Sequence, residues 1–298
     1  WNRYFANRSL AEKTVKSITT GQVEDTVHDL ISEYHLKEKE LKAVLGILRG
    51  CMKFALKENL IAVNPMNTVE INKAGCMPTD SKHDRSRVYL MPEQQTMFQE
   101  IARELQEQPD NTDAIAIQLE FKLGLRIGEL CALKFSDIDM DSMTIHIQRM
   151  ESIDENGHVI VVDHLKKKSR ESNRFLPIGE YELKLFEQVR KINEANGYKE
   201  DDFIFVDEKG RTHIRAIDNR IRKLCRRGGI PEKSCHDIRR TVAFVMHKNG
   251  VSVEQIRFYM GHNDVNTTWG YIYDIDTEEE TNNIIKNALS ELNYAIAL

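Results

Sequence analysis

Between Ala74 and Arg87 the chain loses its apolar period. The stretch holds Gly75, Pro78, Asp80, Ser81 and mixed charges, with no spacing that would give a helix or strand a buried face. Such a break forces the apolar residues on its two sides to bury themselves separately. We therefore expect a unit over 1–73, a linker over 74–87 and a larger unit over 88–276, with a terminal helix over 277–298. A chain of 298 residues is long enough for both cores.

The first unit reads as helical throughout. Leu41, Val44, Leu45, Leu48, Met52 and Ala55 recur at mostly three- and four-residue steps, and Asn64-Pro65 closes the region. In the second unit Pro92 opens a helix through Phe98, Ile101 and Leu105. Another helix covers Ala114 to Leu123 and ends at Gly124, a left-handed cap. A short helix follows from Arg126 to Leu133. Strands are expected at Thr144–Ile147, at Val159–Val162 after a turn at 154–157, and at Arg174–Ile178. Helices then follow near 180–195, 215–227, 235–249, 253–260 and 277–296. The fold class is mainly α with a small antiparallel sheet.

Composition narrows the function classes. The hydrophobic fraction is 41%, and no apolar run of eighteen or more residues spans a membrane. The five cysteines, Cys51, Cys76, Cys131, Cys225 and Cys235, form no CxxC pair. That favours a reducing, intracellular setting over a disulfide framework or a zinc knuckle. No signal peptide is present and the chain starts at Trp1, which suggests a fragment or processed product. The net charge of −5 argues mildly against a nucleic-acid partner. Charge is nevertheless uneven. Residues 161–240 are rich in Lys and Arg, and the tail from Asp274 is acidic. Local sign matters more than the total for a surface that meets phosphate.

Four separated stretches offer cations, imidazoles and a phenol. Arg126 and Glu129 lie three apart at a helix start, just after Gly124. Such a pair is usually a solvated one worth a few tenths of a kcal/mol. After a sharp glycine turn, however, a guanidinium can be aimed inward and fixed by the glutamate. Lys166-Lys167-Lys168-Ser169-Arg170 precede the strand containing Arg174. A charge run is usually a solvated loop. A lysine among cations can also give up a proton to a leaving oxygen. His236 and Arg239 share one helix face, and Arg240 should point elsewhere. Gly261-His262 sits at a helix junction, where glycine allows close approach to a ligand. Tyr271 and Tyr273 follow. Most tyrosines are packing residues, whereas a catalytic phenol must be exposed and near cations because its free pKa is about 10.

These residues resemble the motifs of the tyrosine recombinase family, the phage-type integrases. The matching pieces are Leu125-Arg126-Ile127-Gly128-Glu129-Leu130, the hairpin lysine, His236 to Arg239, Met260-Gly261-His262 and the tyrosine, in order over residues 88–285. Met260 stands where the family usually has Leu, and Trp269-Gly270 before the tyrosine is less usual. The narrower resemblance is to integrases of bacterial conjugative transposons and related mobile elements. It implies a helical core-binding domain followed by a catalytic domain, closing on DNA as a C-shaped clamp. The family's tyrosine stands nine residues after the histidine, which selects Tyr271 over Tyr273. Its lysine stands about nine before the strand-ending proline, which selects Lys168 with Lys167 as the fallback.

The resemblance implies that Tyr271 attacks a DNA phosphodiester to leave a 3′-phosphotyrosine and a 5′-hydroxyl. Arg126 and Arg239 would clamp the phosphate, His262 would add a hydrogen bond, Lys168 would protonate the leaving oxygen, His236 would assist proton transfer or bind phosphate, and Glu129 would support Arg126. Neither cofactor nor metal is implied, and no GxxxxGK[ST] loop occurs. Lys166, Lys167, Arg170, Arg174, Arg215, Arg220, Arg222, Lys223, Arg226 and Arg227 are the expected DNA contacts. The implied partners are double-stranded DNA with paired sites, other copies of the chain in a tetramer docked through the terminal helix, and accessory DNA-bending proteins. The implied setting is the bacterial cytoplasm, associated with the nucleoid. The rival readings are a type IB topoisomerase, which shares the residues, and a DNA-binding regulator without catalysis.

Overall fold

Apolar stripes at helical spacing build the first unit. In the computed structural model α1 (Ser9–Glu12), α2 (Thr20–Tyr34) and α3 (Glu38–Lys57) enclose a core of Phe5, Val23, Val27, Leu30, Leu36, Leu41, Val44 and Leu48. The buried residues of α3 are the six that carry its period in the sequence. Thr19 and Gln22 cap α2 reciprocally. His35 reverses the chain in the left-handed region at φ 48°. The opposite face of α3 exposes Lys39, Lys42, Arg49, Lys53 and Lys57. The structure describes residues 3–77, 87–163, 173–198, 202–272 and, in the tail, 282–283, 285–287 and 289. The chain divides into two units, Trp1–Ser81 and Lys82–Leu298. Most of the expected 74–87 linker lies outside the described residues.

The second unit is built around α5 (Thr112–Leu123), apolar on nearly every side and therefore central. It is packed by α4 (Met91–Glu107), α7 (Glu180–Asn196), α8 (Ile214–Arg227) and α9 (Cys235–Lys248). Pro92 sits in the first turn of α4, where its missing N–H costs nothing. The short α6 (Ile127–Leu130) follows Gly124. α10 (Val253–Met260) and α11 (Val265–Ile272) pack on α9 through Val242, Ala243, Ile256, Met260, Tyr271 and Ile272. Of the expected helix over 277–296 the described residues are few. They are helical, and the rest lies outside the described residues.

The strands differ from expectation. β1 (Ile138–Asp139), β2 (Thr144–Ile147) and β5 (Arg174–Pro177) form one antiparallel sheet in the order β1-β2-β5, with Ile145 opposite Leu176 and Ile147 opposite Arg174. The turn at 154–157 joins a separate hairpin, β3 (Arg149–Ile153) with β4 (Val159–Asp163), in which Glu151 faces Val161. β3 reads Arg-Met-Glu-Ser-Ile, without apolar alternation, because its inward residue is a carboxylate. Glu151 is buried and accepts from Arg211 Nη1 at 2.6 Å and from Ile214 N at 3.2 Å. Arg211 lies in β7 (Gly210–Arg211), which pairs with β6 (Val206–Asp207). The hairpin is thus tied to the start of α8. Among the described residues no helix is long and apolar enough to cross a membrane. All five cysteines are free.

Candidate active site

The site begins with a backbone reversal. Gly124 caps α5 at φ 58°, a conformation that glycine adopts without steric cost. A Cβ there would also meet Val242 Cγ1 at 2.9 Å and Met260 Cε at 3.3 Å. This turn delivers Arg126 to the start of α6, where its backbone N–H donates to Glu129 Oε2 at 3.0 Å. Arg126 Nη1 donates to Glu129 Oε1 at 2.8 Å, and Nη2 donates to the Gly261 carbonyl.

Glu129 has no exposed surface and serves two cations. Arg174 donates to both of its carboxylate oxygens, at 3.1 and 3.0 Å, and its Nε donates to the Tyr259 carbonyl at 2.6 Å. A DNA-contact role was expected for Arg174. Instead it is a buried brace between β5, α6 and α10, because only a cation neutralises a carboxylate so deeply enclosed.

Arg239 is 2% exposed. Its Nη1 donates to the Gly124 carbonyl at 2.8 Å, and its Nη2 donates to the Met260 carbonyl and lies 3.0 Å from His262 Nε2. These acceptors are neutral, and no carboxylate forms a salt bridge with Arg239 among the described residues. Burial lowers its pKa; the nearby Glu129 carboxylate opposes this, and the neighbouring Arg126 and Arg174 add to the lowering. Because a guanidinium only donates, His262 Nε2 is the acceptor, and Nδ1–H is left to donate to Thr268 Oγ1 at 2.9 Å. His262 is 3% exposed. Burial, then Arg239 and Arg126, pushes its pKa down to about 3, so the ring is neutral at pH 7. As placed, His262 steadies Arg239.

Tyr271 closes the group. His262 and His236 both meet its ring edge to face, at centroid distances of 4.7 and 5.2 Å. The expectation of an exposed phenol is corrected: Tyr271 is only 9% exposed, because α11 packs its ring against α9 and α10. Arg240 is corrected too. Its guanidinium lies 4.9 Å from the Tyr271 ring centroid, and Nη1 donates to the Gly270 carbonyl at 3.2 Å. Sequence reasoning missed it. His236 is pushed down to about 4 by desolvation first and Arg240 next. The residue is exposed overall, so this shift counts for less than that of His262.

The structure therefore brings Arg126, Glu129, His236, Arg239, His262 and Tyr271 together. Lys166, Lys167, Lys168, Arg170 and Tyr273 lie outside the described residues. Half of the expected basic face of α8 pairs with carboxylates of α4. Arg220 pairs with Glu104, Lys223 with Glu104 at 3.4 Å, and Arg227 with Glu100, Glu104 and Glu107. Arg222 pairs with Asp218 and Arg226 with Glu232, both on the surface, and Arg215 is exposed. The signal for this pairing was in the sequence, since Glu100, Glu104 and Glu107 share one face of α4. Among the described residues no group of three or more His, Cys, Asp or Glu could hold a metal ion.

The chain and its fold have counterparts among known proteins. The chain is 24% identical to a tyrosine recombinase XerC-like protein of Caldanaerobacter subterraneus, over 95% of this chain and 74% of that one. It is 22% identical to the tyrosine recombinase XerC of Pediococcus pentosaceus, over 80% and 72%. Its fold is similar to that of the Tn1549 transposon integrase solved with transposon right end DNA, with a TM-score of 0.73, 18% identity, and 96% and 90% of the two chains covered. A lambda integrase dimer bound to a core site is similar at a TM-score of 0.57 and 18% identity, over 88% and 67%. The sequence pattern of the phage integrase family matches residues 90–279, a segment holding every residue of the site, and the chain belongs to that family.

Proposed function

We propose that this chain is a tyrosine-type site-specific DNA recombinase, acting for a mobile element, that cleaves and rejoins strands through a phosphotyrosine bond to Tyr271. The observation that carries the reading is the Arg239 guanidinium. It is buried, held by neutral acceptors, and set beside Arg126, two imidazoles and a phenol. A buried cation without a bonded carboxylate suits an incoming anion. The phosphodiester is the anion that pairs with a phenol nucleophile.

In this reading the Tyr271 oxygen attacks phosphorus, and its proton passes to His236, whose neutral ring can accept it. The bond from phosphorus to the 5′-oxygen breaks, and Lys168 supplies that oxygen with a proton. Charge growing on the non-bridging oxygens is met by the forks of Arg126 and Arg239. The 5′-hydroxyl of a partner strand then attacks the phosphotyrosine, so the bond energy is conserved and no metal or nucleotide is consumed. Support for a DNA partner comes from the DNA-bound integrases of like fold and from the cationic face of α3. Paired sites, a tetramer exchanging terminal helices and accessory bending proteins complete the proposal.

The test uses a nicked suicide duplex carrying the element's end. A covalent protein–DNA adduct should form equally with and without EDTA, and strand joining should need two sites. Loss of the adduct in EDTA would overturn the metal-free step. Relaxation of a plasmid lacking any site would favour a topoisomerase.

A further inference from the structure

Arg240 is the cation nearest the Tyr271 ring that the reaction scheme leaves unused. It stands one residue beyond Arg239, yet its side chain turns to α11. There its guanidinium covers the phenol ring and bonds the carbonyl of Gly270, the residue just before Tyr271. Its Nε is buried without a hydrogen-bond partner among the described residues. Leaving a guanidinium N–H unpaired is costly, so the stacked pose is held by the ring and the Gly270 carbonyl. Gly270 itself has open space around its Cβ position, so no side chain there fixes the helix. The backbone at this point is secured by the arginine.

We infer that Arg240 is a positioning residue for the nucleophile, tying the Gly270–Tyr271 segment of α11 to α9 and setting where the phenol meets the phosphate. The inference rests on the reading of Tyr271 as nucleophile. Arg240 touches neither the phosphate-clamping arginines' acceptors nor any reacting atom other than through the tyrosine. Among the described residues the charged and titratable groups around the phenol are His236, Arg239 and Arg240 from α9, with Asp237 and Arg87 beside them, and His262 from the α10–α11 junction.

The experiment compares wild type, Arg240→Gln, Arg240→Lys and Tyr271→Phe as full chains on the suicide duplex. It measures DNA affinity, single-turnover adduct formation and Tm. Arg240→Gln should form adduct roughly tenfold more slowly, the size of a desolvated cation–π contact, with DNA affinity within about twofold. Arg240→Lys should recover most of the rate. A wild-type rate in Arg240→Gln would overturn the inference. So would equal loss in both variants with a lowered Tm, which marks a merely structural arginine. An adduct that persists in Tyr271→Phe sinks the nucleophile assignment instead, and the two failures are distinct.

Discussion

At the scale of single residues the site is a problem of holding like charges together. Arg126 and Arg239 are kept close by the carbonyls of Gly124, Met260 and Gly261. A lysine at 239 would keep the charge but lose the rigid fork. Arg239→Lys should therefore cut adduct formation by about 10²–10³ while duplex binding changes little, read by single-turnover cleavage and by a binding titration. Arg126, Glu129, His236, Arg239, His262 and Tyr271, which the structure gathers, were singled out in the sequence because they match a family's motifs in fixed order. Arg240 was not legible, since helical geometry gave it a different face from Arg239 and only the packing of α11 shows what covers that face. His262 yields a pH prediction. Its pKa falls from 6.5 unfolded to about 3 folded, so the stability it contributes is fully present above pH 6.5 and is lost as pH falls toward 3. Tm should drop across that window, and the drop should be shallower in His262→Gln. An equally steep fall in that variant would assign the titration to other groups.

At the scale of elements the arrangement depends on glycine and on buried ion pairs. Gly124→Ala combines a left-handed backbone with a Cβ at 2.9 Å from Val242. It should cost more than about 1 kcal/mol, lower Tm by several degrees and slow cleavage through misplaced Arg126. A Tm equal to wild type would contradict this account of the turn. Helix α8 gives the opposite kind of test. Glu104 is buried and neutralises Arg220, Lys223 and Arg227. Glu104→Gln should destabilise the chain by about 3 kcal/mol and release cations. Nonspecific DNA binding should then tighten at low salt with a steeper salt slope. Unchanged binding and stability would show that the pairs are not formed in solution. Helices were legible here because their period is set by burial on one side. The pairing of Arg220, Lys223 and Arg227 with α4 was not read from the sequence, because a charge run looks the same whether its partner is DNA or a neighbouring helix. β3 was missed because Glu151, not an apolar residue, faces inward.

For the whole molecule, the family match over 90–279 agrees with the resemblance read from the motifs, and the chain divides into two units, Trp1–Ser81 and Lys82–Leu298. The net charge of −5 misleads as a global figure, because acidic residues such as Glu100, Glu104 and Glu129 are consumed inside the fold. The cations gather locally instead, in a pocket around Arg239 in one unit and on the basic helix face of α3 in the other. The central claim is that the phenol at the edge of that pocket becomes covalently bound to DNA. Trapping the adduct on a suicide duplex, digesting it and locating the nucleotide-bearing peptide by mass spectrometry tests this directly. The account predicts the nucleotide on Tyr271 and no adduct from Tyr271→Phe. A nucleotide on Tyr273, or an adduct that survives Tyr271→Phe, would contradict it.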